Sequence, residues 1–373
     1  MRSIKTKKLL RLIVSATAVL LMITGCDDSG VEVSDSTAVQ AGDTSVLADT
    51  GSETLSAADT RPEFPVRMGD AENLLFTDTG RIFVTGANVA EITPDGAAML
   101  MPDNYGIFGG MAQVGSWLYV ICNRYRTSMD SIDLNEMLKA ENLGTLLGLL
   151  TDAFMDKVIL RADLNAGGPE KLVFTEIHRL TGMMLANGMT ADSKGNLYVA
   201  DMTFLPAGKI VKVSVSETAI QVATQETWLS SGEGVHSPNG MCIRDDILYF
   251  TDYNMLSSKQ ASVKKVTIIG DSPGAVETLH SAAGLYDDLD VVVYRGRPTV
   301  AVAGYFVGNI LVIDEETGNV TRVGSSTLQC PSSVHFGDGG WVGTDEFIVT
   351  EVGMLYEPYS SYGNRVSILD IPE

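Results

Sequence analysis

Two asparagines open two nearly identical stretches of the chain. Asn187 begins a phrase of apolar segment, polar turn and second apolar segment that ends at Asp201, and Asn239 begins a matching phrase that ends at Asp252. The two asparagines lie about 50 residues apart, a spacing typical of β-propeller blades. Stacked strands do not by themselves require an amide at this position. The repetition therefore predicts a ligand that both asparagines share at the mouth of a central channel.

Weaker copies of the phrase indicate a complete ring of such units. Four further copies occupy 72–86, 110–121, 287–303 and 332–350. Alternation of apolar and polar residues, bounded by Gly and Asp turns, is typical of strands. Six units of about 40–50 residues predict an all-β, six-bladed β-propeller over residues 62–373. The alternative, an unrelated β-sandwich, is disfavoured because sandwiches do not repeat internally.

Every inner strand of a propeller starts on the same face, so residues that open the strands converge. The predicted metal ligands are Glu72, Asn187, Asn239, Asp287 and Asp288. All of them offer oxygen, which suits Ca²⁺, and the absence of sulfur or imidazole ligands disfavours zinc and copper. Each residue alone would also fit an ordinary turn. The sequence leaves the number of ions open between one and two.

With these positions in place, the chain resembles the six-bladed calcium propellers that include gluconolactonase/senescence-marker proteins, paraoxonases and strictosidine synthase-like proteins. The matching phrases are Glu72-Asn73-Leu74, Asn187, Asn239 and the pair Asp287-Asp288. The resemblance implies calcium-dependent hydrolysis of lactones or esters, in which the ion polarises the carbonyl group and activates water. The alternative is a non-catalytic propeller that binds a ligand or a protein and uses calcium as a structural ion.

The choice of catalytic residue departs from the paraoxonase pattern. The second blade opens with Phe108-Gly109-Gly110-Met111, so the catalytic histidine of paraoxonases has no counterpart there. The gluconolactonase pattern implies instead that Asp287 is both metal ligand and base. His236, in the connection that leads into Asn239, is the second candidate base.

Two features of the same face concern the substrate. Aromatic residues in its loops predict a pocket for an apolar or ring-shaped small molecule; they are Phe204, Tyr305, Phe306 and the tyrosines of 354–362. Apolar residues at helical spacing predict a helical insertion in blade 2 over residues 128–156. The insertion either covers the channel mouth or packs on the rim of its blade, and the sequence leaves both open.

The N-terminus resembles a bacterial lipoprotein signal. Five basic residues precede an apolar run from Leu12 to Met22, and Gly25 precedes Cys26. We predict a signal peptide over residues 1–25, acylation of Cys26 with palmitate, and a disordered acidic tether over 26–61. This places the protein in the cell envelope, anchored by lipid to a bacterial membrane. The alternative is an ordinary cleavage site with a chance cysteine.

Composition limits the partners. The chain has 26 basic and 47 acidic residues, and loss of residues 1–25 would remove five of the basic ones. Such an acidic protein is not expected to bind nucleic acid. Three cysteines remain besides Cys26, so at most one disulfide can form. Cys122 and Cys242 lie within strand patterns, where cysteine is usually a small core residue.

Overall fold

The computed structural model describes residues 68–103, 105–126, 148, 150–203, 208–215, 224–254, 260–324, 328–353 and 362–371, with backbone alone at 55–56 and 125. These residues form six antiparallel sheets around a central channel. The predicted six-bladed, all-β propeller is therefore confirmed.

In each blade, consecutive strands pair in chain order from the channel outward. Strand β1 (Leu55–Ser56) is the exception and is described below. Blade 1 contains β2 (Leu74–Phe76), β3 (Ile82–Thr85), β4 (Val89–Thr93) and β5 (Gly96–Met99). Blade 2 contains β6 (Ile107–Val114), β7 (Trp117–Tyr125), β8 (Met155–Asp163) and β9 (Thr175–Leu180). Blade 3 contains β10 (Ala186–Ala191), β11 (Asn196–Asp201), β12 (Lys209–Ser214) and β13 (Thr224–Leu229).

The second half of the ring repeats this arrangement. Blade 4 contains β14 (Pro238–Arg244), β15 (Ile247–Asn254), β16 (Gln260–Ile269) and β17 (Ser272–Ala283). Blade 5 contains β18 (Tyr286–Tyr294), β19 (Arg297–Gly304), β20 (Asn309–Asp314) and β21 (Val320–Val323). Blade 6 contains β22 (Pro331–Phe336), β23 (Glu346–Glu351) and β24 (Arg365–Asp370). Short 3₁₀ helices cover Leu164–Ala166, Pro169–Lys171 and Ser231–Glu233.

The inner strands of blades 2 to 6 share a bulge near their start. In β10, pairing jumps by three residues between Ala186 and Met189 while the neighbouring strand advances by two. Strands β6, β14, β18 and β22 show corresponding irregularities. A bulge breaks the alternation of side chains and turns one of them in a new direction. In blade 1, Glu72 takes the corresponding place, where its N–H donates to Thr85 O at 2.8 Å.

Glycines follow Asn187 and Asn239 because neighbouring inner strands almost touch there. A Cβ atom on Gly188 would lie 2.0 Å from Asn239 O, and one on Gly240 would lie 2.3 Å from the Cα of Asp288. Neither distance is physically allowed, so both positions need glycine. The Asn-Gly pairs, which could be read as turns, are therefore sites where two blades meet at the channel.

Six buried apolar clusters hold the ring together, one between each pair of adjacent blades. Alternate residues of β7 face opposite neighbours. Tyr119 and Ile121 pack toward blade 3, whereas Leu118 and Val120 pack toward blade 1. Because both faces of a blade are buried, its central strands are continuous apolar runs.

The ring closes between blades 6 and 1. Apolar residues of both blades share one cluster. Asn364 accepts a backbone hydrogen bond from Met68 N at 3.0 Å, and its side-chain oxygen accepts one from Asp70 N at 2.8 Å. Ser332 Oγ donates to Ala71 O at 3.0 Å. Polar contacts therefore reinforce the apolar packing at this junction.

The predicted helical insertion is not supported where the chain is described. Residues 127–147 and 149, which carry most of it, lie outside the described residues. Residues 150–154 form turns and a bend, and β8 begins at Met155, so no helix reaches residue 156. Leu150 is buried. Among the described residues of the predicted insertion, only Gly148 has a helical backbone.

The N-terminal predictions lie almost entirely outside the described residues. Cys26, the signal peptide and most of the tether are among them. Leu55 and Ser56, within the predicted tether, form strand β1, which pairs in parallel with β21 at the outer edge of blade 5. Among the described helices, none has the length and apolarity needed to cross a membrane. Cys122, Cys242 and Cys330 are free thiols, and Cys122 is fully buried.

Candidate functional site

The starts of three inner strands are joined by a chain of side-chain hydrogen bonds. Asn187 Nδ2 donates to Asn239 Oδ1. Asn239 Nδ2 in turn donates to Asp287 Oδ1 at 2.6 Å. All three residues are buried, although they belong to different blades. The structure therefore brings together these three of the predicted metal ligands, and the bulges are what turn them toward one another.

The carboxyl group of Asp287 is buried close to other acidic groups. Burial raises its pKa well above the ordinary carboxyl value, and the charges of Glu72 and Asp288 raise it further, while the hydrogen bond from Asn239 opposes the rise. Glu72, which is half-buried, is thus the fourth member of the group. Buried carboxylates that lie close together are costly unless a cation or a proton joins them. We call Glu72, Asn187, Asn239 and Asp287 the mouth ring.

The donor set of the mouth ring fits a hard cation. Two carboxylates and two amides supply oxygen, the type of ligand that Ca²⁺ prefers. Within the described ranges, no group of three or more His, Cys, Asp or Glu side chains is arranged to hold a metal ion. A soft-metal site is therefore not found among those residues, whereas the mixed amide and carboxylate ring remains compatible with calcium.

Asp288 is directed away from the mouth ring. Its Oδ2 accepts a hydrogen bond from Ser333 Oγ at 2.9 Å, and its Oδ1 accepts one from Leu289 N at 2.9 Å. Asp288 lines a cavity of about 250 Å³ inside the channel, together with Asn73 and His335. Burial raises the pKa of Asp288 to about 6. The structure thus separates two adjacent carboxylates into two different environments.

His236 belongs to a separate network beside blade 4. Its Nδ1 lies 2.9 Å from Asp252 Oδ2, and its Nε2 lies 2.9 Å from Asn254 Nδ2. Lys264 Nζ also donates to Asp252 Oδ2 at 2.5 Å. Burial alone would raise the pKa of Asp252, but the hydrogen bond from His236 and the charge of Lys264 hold it below its ordinary value. Both imidazole nitrogens are engaged, so His236 is better placed to hold this loop than to act as a base.

Buried acids at the ends of second strands were not assigned a role from the sequence. Asp201 accepts hydrogen bonds from Met184 N at 2.8 Å and Leu185 N at 3.0 Å. Asp252 binds the corresponding loop of blade 4, and Glu351 binds Gln329 N at 2.5 Å. Each acid fixes the loop that leads into the inner strand of its blade. The signal was present in the sequence, because each of these three strands carries Asp or Glu after an apolar run, at its end or two residues before it.

Three of the predicted aromatic residues belong to the described part of the chain. Tyr305 is buried and packs edge-on against Phe306 at 4.9 Å between ring centroids, while Phe306 and Tyr362 are exposed. The side chain of Tyr362 hydrogen-bonds Cys330. Phe204 and 354–361 lie outside the described residues. Tyr305 and Phe306 directly follow β19 of blade 5, the blade whose inner strand carries Asp287.

No known protein family matches the chain by its sequence profile, and no curated protein matches it in sequence. Solved structures share its fold. A gluconolactonase from Xanthomonas campestris has a TM-score of 0.54 at 13% identity, covering 90% of this chain and 99% of that one. The calcium-binding protein regucalcin from Agrobacterium tumefaciens has a TM-score of 0.55 at 13% identity, covering 85% and 95%.

A protein with a different activity is equally similar. The PQQ-bound aldose sugar dehydrogenase from Streptomyces coelicolor has a TM-score of 0.53 at 12% identity, covering 84% of this chain and 98% of that one. At such identities the likeness establishes the propeller fold alone. Function must therefore be argued from the mouth ring itself.

Proposed function

We propose that the protein is a calcium-dependent hydrolase of lactones or esters. The observation that carries this proposal is the position of Asp287, which is buried near Glu72 and accepts a hydrogen bond from Asn239, which in turn accepts one from Asn187. The mouth ring would hold the ion. Asp288 is left out of this set, because it is directed toward Ser333 and the channel cavity.

The chemistry divides between the ion and Asp287. A bound Ca²⁺ would supply Lewis-acid polarisation of the substrate carbonyl group. Asp287 would accept a proton from water, whose oxygen bonds to the carbonyl carbon as the ring C–O bond breaks. The same proton then passes to the departing alkoxide oxygen, and the product is a hydroxy acid. As a ligand of the ion, Asp287 would be held as the carboxylate that can accept this proton.

The structural comparisons support this choice without deciding it. A gluconolactonase and a calcium-binding regucalcin share the fold, and both fit an oxygen-lined ring at the channel mouth. The sugar dehydrogenase on the same fold contains PQQ. For this chain, the lactonase assignment therefore depends on the mouth ring rather than on similarity.

The proposal also includes the location of the protein. The lipoprotein-like signal ending at Cys26 supports anchoring by acyl chains in a bacterial envelope, with the propeller outside the cytoplasm. The aromatic residues Tyr305 and Phe306, which follow β19 of the blade that carries Asp287, support a small-molecule substrate with an apolar or cyclic body.

Two adjacent aspartates provide a matched test. The full chain in detergent is assayed on lactones and on open esters of the same acyl chain, with calcium and with chelator. Asp287→Asn should lower the turnover by about 10²-fold or more, the scale expected for loss of a general base. Asp288→Asn makes the same chemical change outside the ring and should cost far less.

The other outcomes are equally informative. In one of them, the protein turns over neither lactones nor esters while chelator still lowers its melting temperature. That result would favour a non-catalytic propeller with a structural calcium ion. Equal losses of turnover in Asp287→Asn and Asp288→Asn would show that the different orientations of the two side chains do not give them different roles. Turnover insensitive to chelator would refute the role of calcium.

A further inference from the structure

The inner strand of blade 2 has a glycine where blades 3, 4 and 5 carry a ring residue. The register of β6 with β7 shifts after Phe108, as the register of β10 with β11 shifts after Ala186. Gly109 therefore takes the place in blade 2 that Asn187 takes in blade 3. A Cβ atom on Gly109 would lie 2.7 Å from Asn187 O, so a side chain does not fit there. An oxygen ligand from blade 2 would have to come from another strand.

Asn123, near the end of β7, places an amide next to the mouth ring. In the register of its blade it holds the position that Met202 holds in blade 3. Met202 Sδ lies 3.5 Å from Nδ2 of the ring residue Asn187, so this position is adjacent to the ring. Asn123 Nδ2 itself donates to Ala186 O at 2.8 Å, and Ala186 directly precedes Asn187. A hydrogen bond thus fixes the Asn123 side chain at the start of β10.

The amide of Asn123 leaves its oxygen without a partner. Its orientation is determined, because a flipped amide would place its oxygen against Ala186 O, and both oxygens are acceptors. The residue is 4% exposed, and among the residues that the structure describes its Oδ1 is a buried atom with no hydrogen-bond partner. A buried acceptor of this kind indicates a bound hydrogen-bond donor or a cation.

We propose that Asn123 Oδ1 is a fifth side-chain oxygen ligand of the calcium ion, so that each of blades 1 to 5 supplies one such ligand. This inference rests on the calcium site of the proposed function. The mouth ring has four side chains, whereas Ca²⁺ takes about six to eight oxygens. Glu72 and Asp287 already bring two carboxylates together, and a neutral amide adds an oxygen without adding repulsion between them.

Calcium titration of the full chain in detergent tests this inference, with the melting temperature as the readout. Asn123→Ala should weaken calcium binding by about 10–100-fold, the range typical for residues that support a metal site. Asn123→Leu, which keeps the size of the side chain, should weaken it at least as much.

Asn88→Ala is the matched control. Asn88 is also buried, but its Nδ2 donates to Met101 O at 2.9 Å and its Oδ1 accepts from Val89 N at 2.8 Å. Without calcium, Asn88→Ala should lower the melting temperature more than Asn123→Ala does, because it removes an amide whose two ends are both hydrogen-bonded. It should leave calcium affinity unchanged. Wild-type calcium affinity in both Asn123 variants, or an equal loss of affinity in Asn88→Ala, would overturn the proposal.

A count of the waters on the bound ion separates a direct ligand from a more distant support. Tb³⁺ is used in place of Ca²⁺, and its luminescence decay rates in H₂O and D₂O give the number of waters bound to the ion. Asn123→Ala should add about one water, because solvent replaces the lost oxygen ligand. Asn88→Ala should add none. An unchanged count in Asn123→Ala would refute direct ligation by Asn123.

The failure of this inference differs from the failure of the proposed function. Calcium-dependent turnover with the same calcium affinity in the wild type and Asn123→Ala would refute the role of Asn123 and leave the hydrolase intact. Weaker calcium binding in Asn123→Ala, together with no turnover by the wild type, would support Asn123 as a ligand and refute the hydrolase. A wild type that binds no calcium would refute both.

Discussion

Replacement of Asp252 by Asn tests how the mouth ring is held in position. The Asp252 side chain is 1% exposed and receives four hydrogen bonds. Backbone N–H groups of His236 and Ser237 donate at 2.9 and 2.7 Å, and the His236 ring and Lys264 Nζ bind at 2.9 and 2.5 Å. Asn239, a ring residue, lies two positions after Ser237. Asp252 therefore supports one member of the proposed calcium site through the backbone.

The size of the effect follows from the charge that is removed. Asparagine keeps the shape and can still accept the two backbone hydrogen bonds. Lys264, whose side chain is 8% exposed, would lose its counter-ion and retain Gly234 O at 2.7 Å. Breaking a buried ion pair costs about 3–5 kcal/mol. With about 2 °C per kcal/mol for a domain of this size, the melting temperature should fall by roughly 6–10 °C.

The assay is thermal unfolding across a calcium titration. Asp252→Asn should lower the melting temperature of the chelated protein and weaken calcium binding by about tenfold, the equivalent of about 1.4 kcal/mol. Asp192→Asn is the matched control. Asp192 is also buried and accepts four hydrogen bonds, but all from neutral groups of its own turn. Asp192→Asn should lower the melting temperature less than Asp252→Asn does, and it should leave calcium affinity unchanged.

Two results would contradict this reasoning. A melting temperature of Asp252→Asn close to that of the wild type would show that the network contributes little. Equal loss of calcium affinity in the Asp192 variant would show that the effect is general. Adding Lys264→Met to Asp252→Asn should recover part of the stability, because the unpaired buried charge is removed.

Three further outcomes are expected. Gly188→Ala should destabilise the protein by about 1–3 kcal/mol, the usual cost of overpacking, whereas Gly232→Ala, which meets no atom within 4 Å, should be nearly neutral; equal denaturation midpoints would argue against the close contact between blades. The pKa of Asp287 in the folded protein lies above the unfolded value of 3.8. This carboxyl therefore stabilises the metal-free fold at low pH, and that stabilisation is lost as the pH rises through the folded-state pKa. Asp287→Asn should therefore raise the melting temperature of the chelated protein at about pH 8 but hardly at about pH 4, and the opposite pattern would reject the buried, uncompensated carboxylate. Cys26→Ser should abolish incorporation of labelled palmitate, and unchanged labelling would reject the lipoprotein assignment.

The sequence predicted the propeller and its channel face because both depend on repetition. Asn187 and Asn239 hold equivalent places in two blades, and equivalent places in a ring converge. The orientation of the Asp288 side chain could not be predicted from repetition. A bulge adds one residue to the inner strand and so changes which of two neighbouring side chains faces the ring. The role of Asp252 was missed for a related reason, since a buried acid at a strand end has meaning only once its donors are known.

Local apolar spacing was the least reliable guide. The pattern that includes Leu150 suggested a helix up to residue 156, but residues 150–154 form turns and a bend. Leu150 is buried, so its apolar character does not require a helix. Similarly, low apolar content suggested a free tether up to residue 61, yet Leu55–Ser56 pairs with β21. Backbone hydrogen bonds along a strand edge leave little trace in side-chain composition.

The closure between blades 6 and 1 sets the order in which the molecule can fold. Asp70 and Asn364 are 294 positions apart, whereas Asn239 and Asp287, in neighbouring blades, are separated by 48. Joining the distant pair in an otherwise flexible chain costs about 1.6 kcal/mol more loop entropy than joining the near pair. Blades can therefore assemble progressively on their neighbours, and the last junction forms only after the others have shortened the gap. Until β24 is complete, the apolar faces of blades 1 and 6 stay open, so a chain truncated before Arg365 should aggregate rather than persist as a five-bladed ring.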